Sequence, residues 1–180
     1  MIDFPALLHR FAGAVVANDG AALAGLFTDD GVYEDGFFGA HKGRDEIIAM
    51  LARFHATGAD YRWDFFDPLS DGRIGYARWR FSYASKMPGA EGKPVLFEGM
   101  SLFELRGDRI ARYSESFDRG VALVQQDFPA ERLKKVLTKT AQAQNATPEC
   151  RSADTGSTSA APGPRVCAAA LSCCVAPGAR

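Results

Sequence analysis

In Phe27-Thr28-Asp29-Asp30-Gly31-Val32-Tyr33-Glu34-Asp35-Gly36-Phe37-Phe38-Gly39-Ala40-His41-Lys42-Gly43-Arg44-Asp45-Glu46-Ile47-Ile48, a turn, a short strand, an aromatic pair between two glycines and the start of a helix follow without a break. Thr28 to Gly31 is a turn by composition, and Val32 to Asp35 is a short strand that ends in two acids, Glu34 and Asp35. Neighbours on a strand point to opposite faces, so at most one of these carboxylates faces inward. An inward acid here is either a turn acid satisfied by backbone amides or a general base in an apolar pocket. Gly36 and Gly39 bracket Phe37 and Phe38, a loop whose aromatics either cover a cavity or plug one end of the core.

Helices flank this stretch on both sides. Asp3 caps a first helix with Pro5 in its opening turn, and Leu7, Phe11 and Val15 recur at the spacing of one buried stripe. Asn18-Asp19-Gly20 ends it, and Asp19 caps a short second helix whose apolar side is Leu23, Leu26 and Phe27. Gly43 to Glu46 opens a third helix with acids in its first turn, favourable against the helix dipole; Ile47, Ile48, Leu51, Phe54 and His55 follow until Gly58. His55 and His9 read as packed, hydrogen-bonded residues rather than ligands.

From Asp60 the period changes to two. Tyr61, Trp63 and Phe65 alternate with Arg62 and Asp64; after a turn at Ser70-Asp71-Gly72, Trp79, Phe81 and Tyr83 alternate with Arg78, Arg80 and Ser82. Lys86 to Pro94 is a polar loop, Val95 to Leu105 a third long strand, Arg106-Gly107-Asp108 a hairpin turn, and Arg109 to Asp118 the fourth. Val121 to Gln126 reads as one or two helical turns, and Pro129 opens a terminal helix with Leu133, Val136 and Leu137 on its apolar side. Three helices before such a meander predict an α+β fold: a strongly curved antiparallel sheet with the N-terminal helices packed on its concave face, closing a cone around a cavity.

The 180 residues are 47% hydrophobic and 24% charged, the make-up of a globular protein, but the average hides a break. All twenty aromatic residues lie between Phe4 and Phe128, while all four cysteines lie after Asn145. A domain over residues 1–144 and a disordered tail over 145–180 are expected, because a tail of Ala, Gly, Ser, Thr, Pro and Cys buries too little apolar surface to offset its ordering entropy. Cys167, Cys173 and Cys174 lack a second paired set or a histidine at zinc spacing, so no metal is expected. A net charge of -1 with scattered Lys and Arg gives no nucleic-acid face. No apolar run reaches the roughly 18 residues of a spanning helix, and the N-terminus lacks a signal-peptide pattern, so no membrane partner is expected and the cytoplasm is the expected compartment.

The order of elements resembles the NTF2-like superfamily, which includes steroid delta-isomerases, limonene epoxide hydrolases and SnoaL-like polyketide cyclases. Leu26 to Asp35 followed by Gly43-Arg44-Asp45-Glu46-Ile47 is similar to the steroid isomerase segment, and the resemblance puts Asp35 at the catalytic base. Tyr113-Ser114-Glu115-Ser116-Phe117-Asp118-Arg119-Gly120 is similar to a strand end where SnoaL-like and epoxide hydrolase relatives often place a working acid. The departures are informative. The family's spacing puts Phe11 where the isomerase has a tyrosine and Met100 where it has an acid, and neither can donate the hydrogen bonds an enolate requires. An epoxide hydrolase needs an arginine between two acids; Glu98 and Glu115 supply acids, but no arginine falls on the inner face. The resemblance implies chemistry without a cofactor, a small apolar molecule as partner, and a homodimer.

The same resemblance sets the register. With Trp79, Phe81 and Tyr83 inward, Arg78 and Arg80 point outward, and Glu98, Met100, Glu115 and Phe117 are expected inward. The expected site is Asp35 and Glu115 as catalytic acids, with Phe11, Trp63, Trp79, Phe81, Tyr83, Glu98, Met100, Phe117 and Asp118 against the ligand. Whether Glu115 or Asp118 faces the pocket is open, and so is whether the aromatics line a site or fill a core. Phe66, Phe97, Phe103 and Leu105 are expected on the outer sheet face as the dimer contact, among Arg62, Arg78 and Arg80. Two functions fit: a small enzyme doing acid or base chemistry of isomerase, cyclase or hydrolase type on an apolar, ring-bearing molecule, or a non-catalytic ligand-binding or dimerisation module.

Overall fold

Asp3 and Asp19 start the first two helices as their positions predict. The computed structural model describes residues 2–146. In it Asp3 Oδ1 accepts from Ala6 N at the head of α1 (Phe4–Val16), and Asp19 Oδ1 from Ala22 N at the head of α2 (Gly20–Gly25). A third helix, α3 (Arg44–Thr57), follows Gly43, whose φ of 81° suits only glycine without strain, and Glu46 Oε2 reaches back to Lys42 N at 2.7 Å.

Six strands form one curved sheet: β1 (Phe27–Asp35), β2 (Gly39–Lys42), β3 (Gly58–Ser70), β4 (Ile74–Ser85), β5 (Pro94–Arg106) and β6 (Arg109–Phe117), in the order β2-β1-β6-β5-β4-β3. The last four are the predicted meander, antiparallel throughout. The sheet as a whole is mixed, because β1 joins β6 in parallel after the helices carry the chain across. β2 is an element the sequence reading leaves in a loop; it pairs His41 with Tyr33 and has one buried residue in four, too few to show an alternation.

The core lies between the helices and the concave sheet face. Leu7, Phe11 and Val15 of α1 are fully buried with Phe27, Phe103, Ile110 and Tyr113. Phe11 stands at the centre, in contact with the rings of Tyr33, Trp63, Phe103 and Tyr113. Burial at about 25 cal/mol per Å² of apolar surface makes this cluster the main stabilising contact between helices and sheet.

On β5 the expected register is wrong by one residue. Cross-strand partners share a face, and Phe81 pairs with Phe97, Trp79 with Gly99, Arg80 with Glu98 and Arg78 with Met100. With Trp79 and Phe81 inside, Phe97 and Gly99 are inside too, while Glu98 and Met100 point out. Phe103 and Leu105 are buried rather than on the outer face. A Cβ at position 99 would collide with the Trp79 indole, so the wide ring and the absent side chain fit each other.

Beyond the sheet, α4 (Arg119–Val124) and α5 (Ala130–Ala146) complete the described chain. α5 runs past the boundary expected at Gln144: Asn145 and Ala146 are its last residues, with no proline before Pro148 to end it. The remainder of the expected tail, with its four cysteines, lies outside the described residues.

Candidate active site

A cavity of about 250 Å³ opens between the concave face of the sheet, α3 and α4. Trp63 of β3, Trp79, Phe81 and Tyr83 of β4 and Phe117 of β6 line it as expected, joined by Asp35 and Glu115. Four expected residues lie elsewhere. Phe11 is fully buried in the core, stacked on Tyr33 behind the wall. Glu98 lies outside, paired with Arg80 at 2.6 and 2.8 Å, and Met100 is exposed on the same outer face. Asp118 leaves the strand and caps α4, its Oδ1 accepting from Gly120 N at 2.8 Å, so Glu115 is the acid that faces the pocket.

The wall also contains residues not singled out from sequence, among them Tyr33, Phe54, Tyr61, Phe97, Gln126 and Phe128. Tyr61 shares the parity of Trp63 and Phe54 lies on the α3 stripe, so both had a readable signal. Phe97 was lost to the β5 register, and Gln126 had no signal.

Asp35 is only 7% exposed. Its Oδ1 accepts from Phe37 N and Phe38 N, both at 2.7 Å, while Oδ2 has no hydrogen-bond partner among the described residues. Glu115 Oε1 accepts from Gly36 N at 2.9 Å, and its Oε2 accepts from Tyr113 Oη at 2.7 Å, which is in turn 3.0 Å from Ser101 Oγ. Position 36 has no room for a side chain, because a Cβ would collide with the Phe117 ring and press on Glu115 Oε1. Phe37 and Phe38 thus sit at the pocket with their amides turned back on Asp35.

Burial raises the Glu115 carboxyl to about 8, with the Asp35 charge as second cause, against the opposing hydrogen bonds from Tyr113 and Gly36. Burial likewise raises Asp35, against the amides of Phe38 and Phe37 and the positive charges of His41 and Arg119. Neither acid is in an ion pair among the described residues. The Asp35 charge opposes a charge on Glu115, so the two titrations are coupled and Glu115 is the acid held more strongly in its neutral form. Glu115 is the natural holder of a proton: a protonated Oε2 donates to Tyr113 and turns the Tyr113 and Ser101 hydroxyls round, both of which can donate or accept. Asp35 then keeps a free lone pair on Oδ2.

Among the described residues no cluster of three or more His, Cys, Asp or Glu could hold a metal, and no helix is long and apolar enough to cross a membrane. His55 Nε2 is 2.8 Å from Val15 O, a packed histidine as expected.

Helices laid on a curved mixed sheet, with an acid pair in an aromatic pocket, define the cone-shaped α+β class of the NTF2-like superfamily. Residues 8–113, more than half of the chain, match the SnoaL-like domain family, and the protein belongs to that family. Three solved structures share the fold. A hypothetical protein with a ketosteroid isomerase-like fold from Catenulispora acidiphila, in complex with trimethylamine, has a TM-score of 0.64 at 23% identity over 71% of this chain and 96% of its own. An LEH-like epoxide hydrolase of M. tuberculosis has a TM-score of 0.56 at 17% identity, over 76% and 94%. A Xanthomonas campestris protein with a provisional polyketide cyclase assignment has 0.58 at 18% identity, over 68% and 95%. At these identities the likeness is one of fold. No curated protein matches the chain.

Proposed function

We propose that this protein is a cofactor-independent enzyme of SnoaL-like type, in which Asp35 takes and Glu115 gives a proton on an apolar, ring-bearing small molecule held in the aromatic pocket. The observation that carries this reading is the unequal pair in the cavity wall: Asp35 with one oxygen free of hydrogen bonds among the described residues, and Glu115 with both oxygens engaged, where burial pushes its carboxyl up. Catalysis by such a pair needs one partner ionised and one protonated at the same pH, and environments that differ this way supply that. The relative solved with trimethylamine supports small-molecule binding within this fold, and the relatives with hydrolase and cyclase descriptions support acid or base chemistry, as analogy only.

The working form is a homodimer through the outer sheet face. Phe66, Tyr76, Leu96 and Met100 are exposed there, and the pairs Arg62 with Asp64, Arg78 with Asp67 and Arg80 with Glu98 give the face both signs of charge, which can complement themselves across a two-fold axis.

A second reading, a non-catalytic ligand-binding module, is favoured by how many donors on the cavity wall are engaged: Thr57 and Tyr61 both donate to Phe54 O, and Gln126 is occupied by Ser85 and Ala122, which leaves the buried indole N–H groups of Trp63 and Trp79 without a partner among the described residues. Deuterium incorporation separates the readings. With cyclic ketones, bare and amino-substituted, incubated with the protein in D2O, the enzyme reading expects catalysed exchange at carbon that drops on the order of 100-fold in Asp35→Asn. Ketones that bind without catalysed exchange would leave the binding module.

A further inference from the structure

The polar groups of the cavity are lopsided, and if the cavity is the ligand site proposed above, this names the ligand's charge. Twelve aromatic side chains line it together with two carboxyl groups, and no lysine, arginine or histidine does. The donors of Thr57, Tyr61 and Gln126 on the wall already have protein partners, while the buried indole N–H groups of Trp63 and Trp79 have none among the described residues. Asp35, more than nine-tenths buried, keeps Oδ2 without a hydrogen bond among the described residues. A carboxylate in such surroundings is costly unless a counter-charge comes to it. An anionic ligand would be repelled by the acids and by the negative ring faces, and a neutral apolar one would leave Oδ2 unpaired. A neutral N–H or O–H donor would pair Oδ2 without using the ring faces, whereas an organic cation is attracted by the carboxylate and the rings together.

We propose that the cavity takes a small organic ammonium ion carried on an apolar ring, with its charge beside Asp35 and its apolar remainder against the aromatic wall. The groups that act on the acid pair are Tyr33 on β1, His41 on β2, Tyr113 on β6 and Arg119 on α4; from the other walls only the hydroxyls of Tyr61 and Tyr83 titrate, with Tyr83 pushed up to about 12 by burial. Arg119 is turned to Thr140 Oγ1 at 2.8 Å and does not line the cavity. A bound cation favours the ionised acids, so binding expels proton, and affinity for a ligand of fixed charge rises with pH until Glu115 is ionised above about 8.

The test uses the full chain and two probes of one shape, phenyltrimethylammonium and tert-butylbenzene, which differ by nitrogen for carbon. The chain's only two tryptophans, Trp63 and Trp79, are both in the cavity wall, so their fluorescence reports occupancy there. The cation is expected to bind at least about tenfold more tightly than its isostere, with a preference that grows from pH 6 to pH 8 and collapses in Asp35→Asn while the isostere's affinity stays put. The comparison in the unmodified chain stands even where that variant fails to fold, and Glu115→Gln then serves as the second variant, expected to flatten the pH dependence. Equal or tighter binding of tert-butylbenzene would overturn the cation and leave the ligand cavity standing. If neither probe binds, the cavity reading falls with it.

Discussion

Asp35 and Glu115 divide three consecutive backbone amides of one turn between them: Gly36 N donates to Glu115 Oε1 at 2.9 Å, and Phe37 N and Phe38 N donate to Asp35 Oδ1 at 2.7 Å. The turn therefore fixes the two acids relative to each other although they are far apart in sequence. The same amides favour the charged forms, and burial outweighs them at both residues.

Replacing Glu115 by Gln should change how stability depends on pH. A carboxyl raised from 4.5 in the unfolded chain to about 8 in the folded one binds its proton more tightly when folded, so stability is lost as pH rises through that window. Gln keeps an acceptor for Gly36 and a donor for Tyr113 and does not titrate. Thermal melts between pH 5 and pH 8 should show the variant losing less stability than the wild type as pH rises. Parallel curves would contradict the raised carboxyl.

Gly36→Ala places a methyl group in the Phe117 ring. The ring or the turn must move, at a cost on the order of 1 to 3 kcal/mol, and the amide that holds Glu115 moves with the turn. Urea unfolding should show that loss; an unchanged midpoint would mean that the turn is loose and does not position the acids.

Much of this was legible in the sequence, and the failures have physical causes. Asp3 and Asp19 marked helix starts because a cap is a local hydrogen bond. Trp79, Phe81 and Tyr83 were legible as one face of β4 because Arg78 and Arg80 alternate with them, and the resemblance turned that face inward. On β5 both faces are apolar, with Leu96, Met100 and Leu102 opposite Phe97, Phe103 and Leu105, so no alternation decides the register and the pairing with β4 does. Asp35 stood out as the acid before a glycine-bounded turn, whereas Glu115 could be separated from Asp118 only by where the strand ends.

The outer sheet face should hold two copies together. Light scattering at micromolar concentration is expected to give twice the chain mass, and Met100→Asp, which puts a charge in the middle of the exposed apolar patch, to give the monomer. A monomeric wild type would remove the dimer.

A chain ending at Ala146 should melt at the temperature of the full chain, since the remaining residues lack aromatics and apolar periodicity. A drop of several degrees would mean that the tail docks on the domain.

The proposed chemistry rests on the unequal protonation of Asp35 and Glu115, and carboxyl-carbon NMR titration of the two measures it directly. The pair should titrate in two coupled steps, both above the ordinary values of 3.8 and 4.5, with the upper step near 8 and carried mainly by Glu115. An Asp35 that titrates below about 3.5, with Glu115 at its ordinary value, would make both of them turn acids held by backbone amides and would contradict the proposed chemistry.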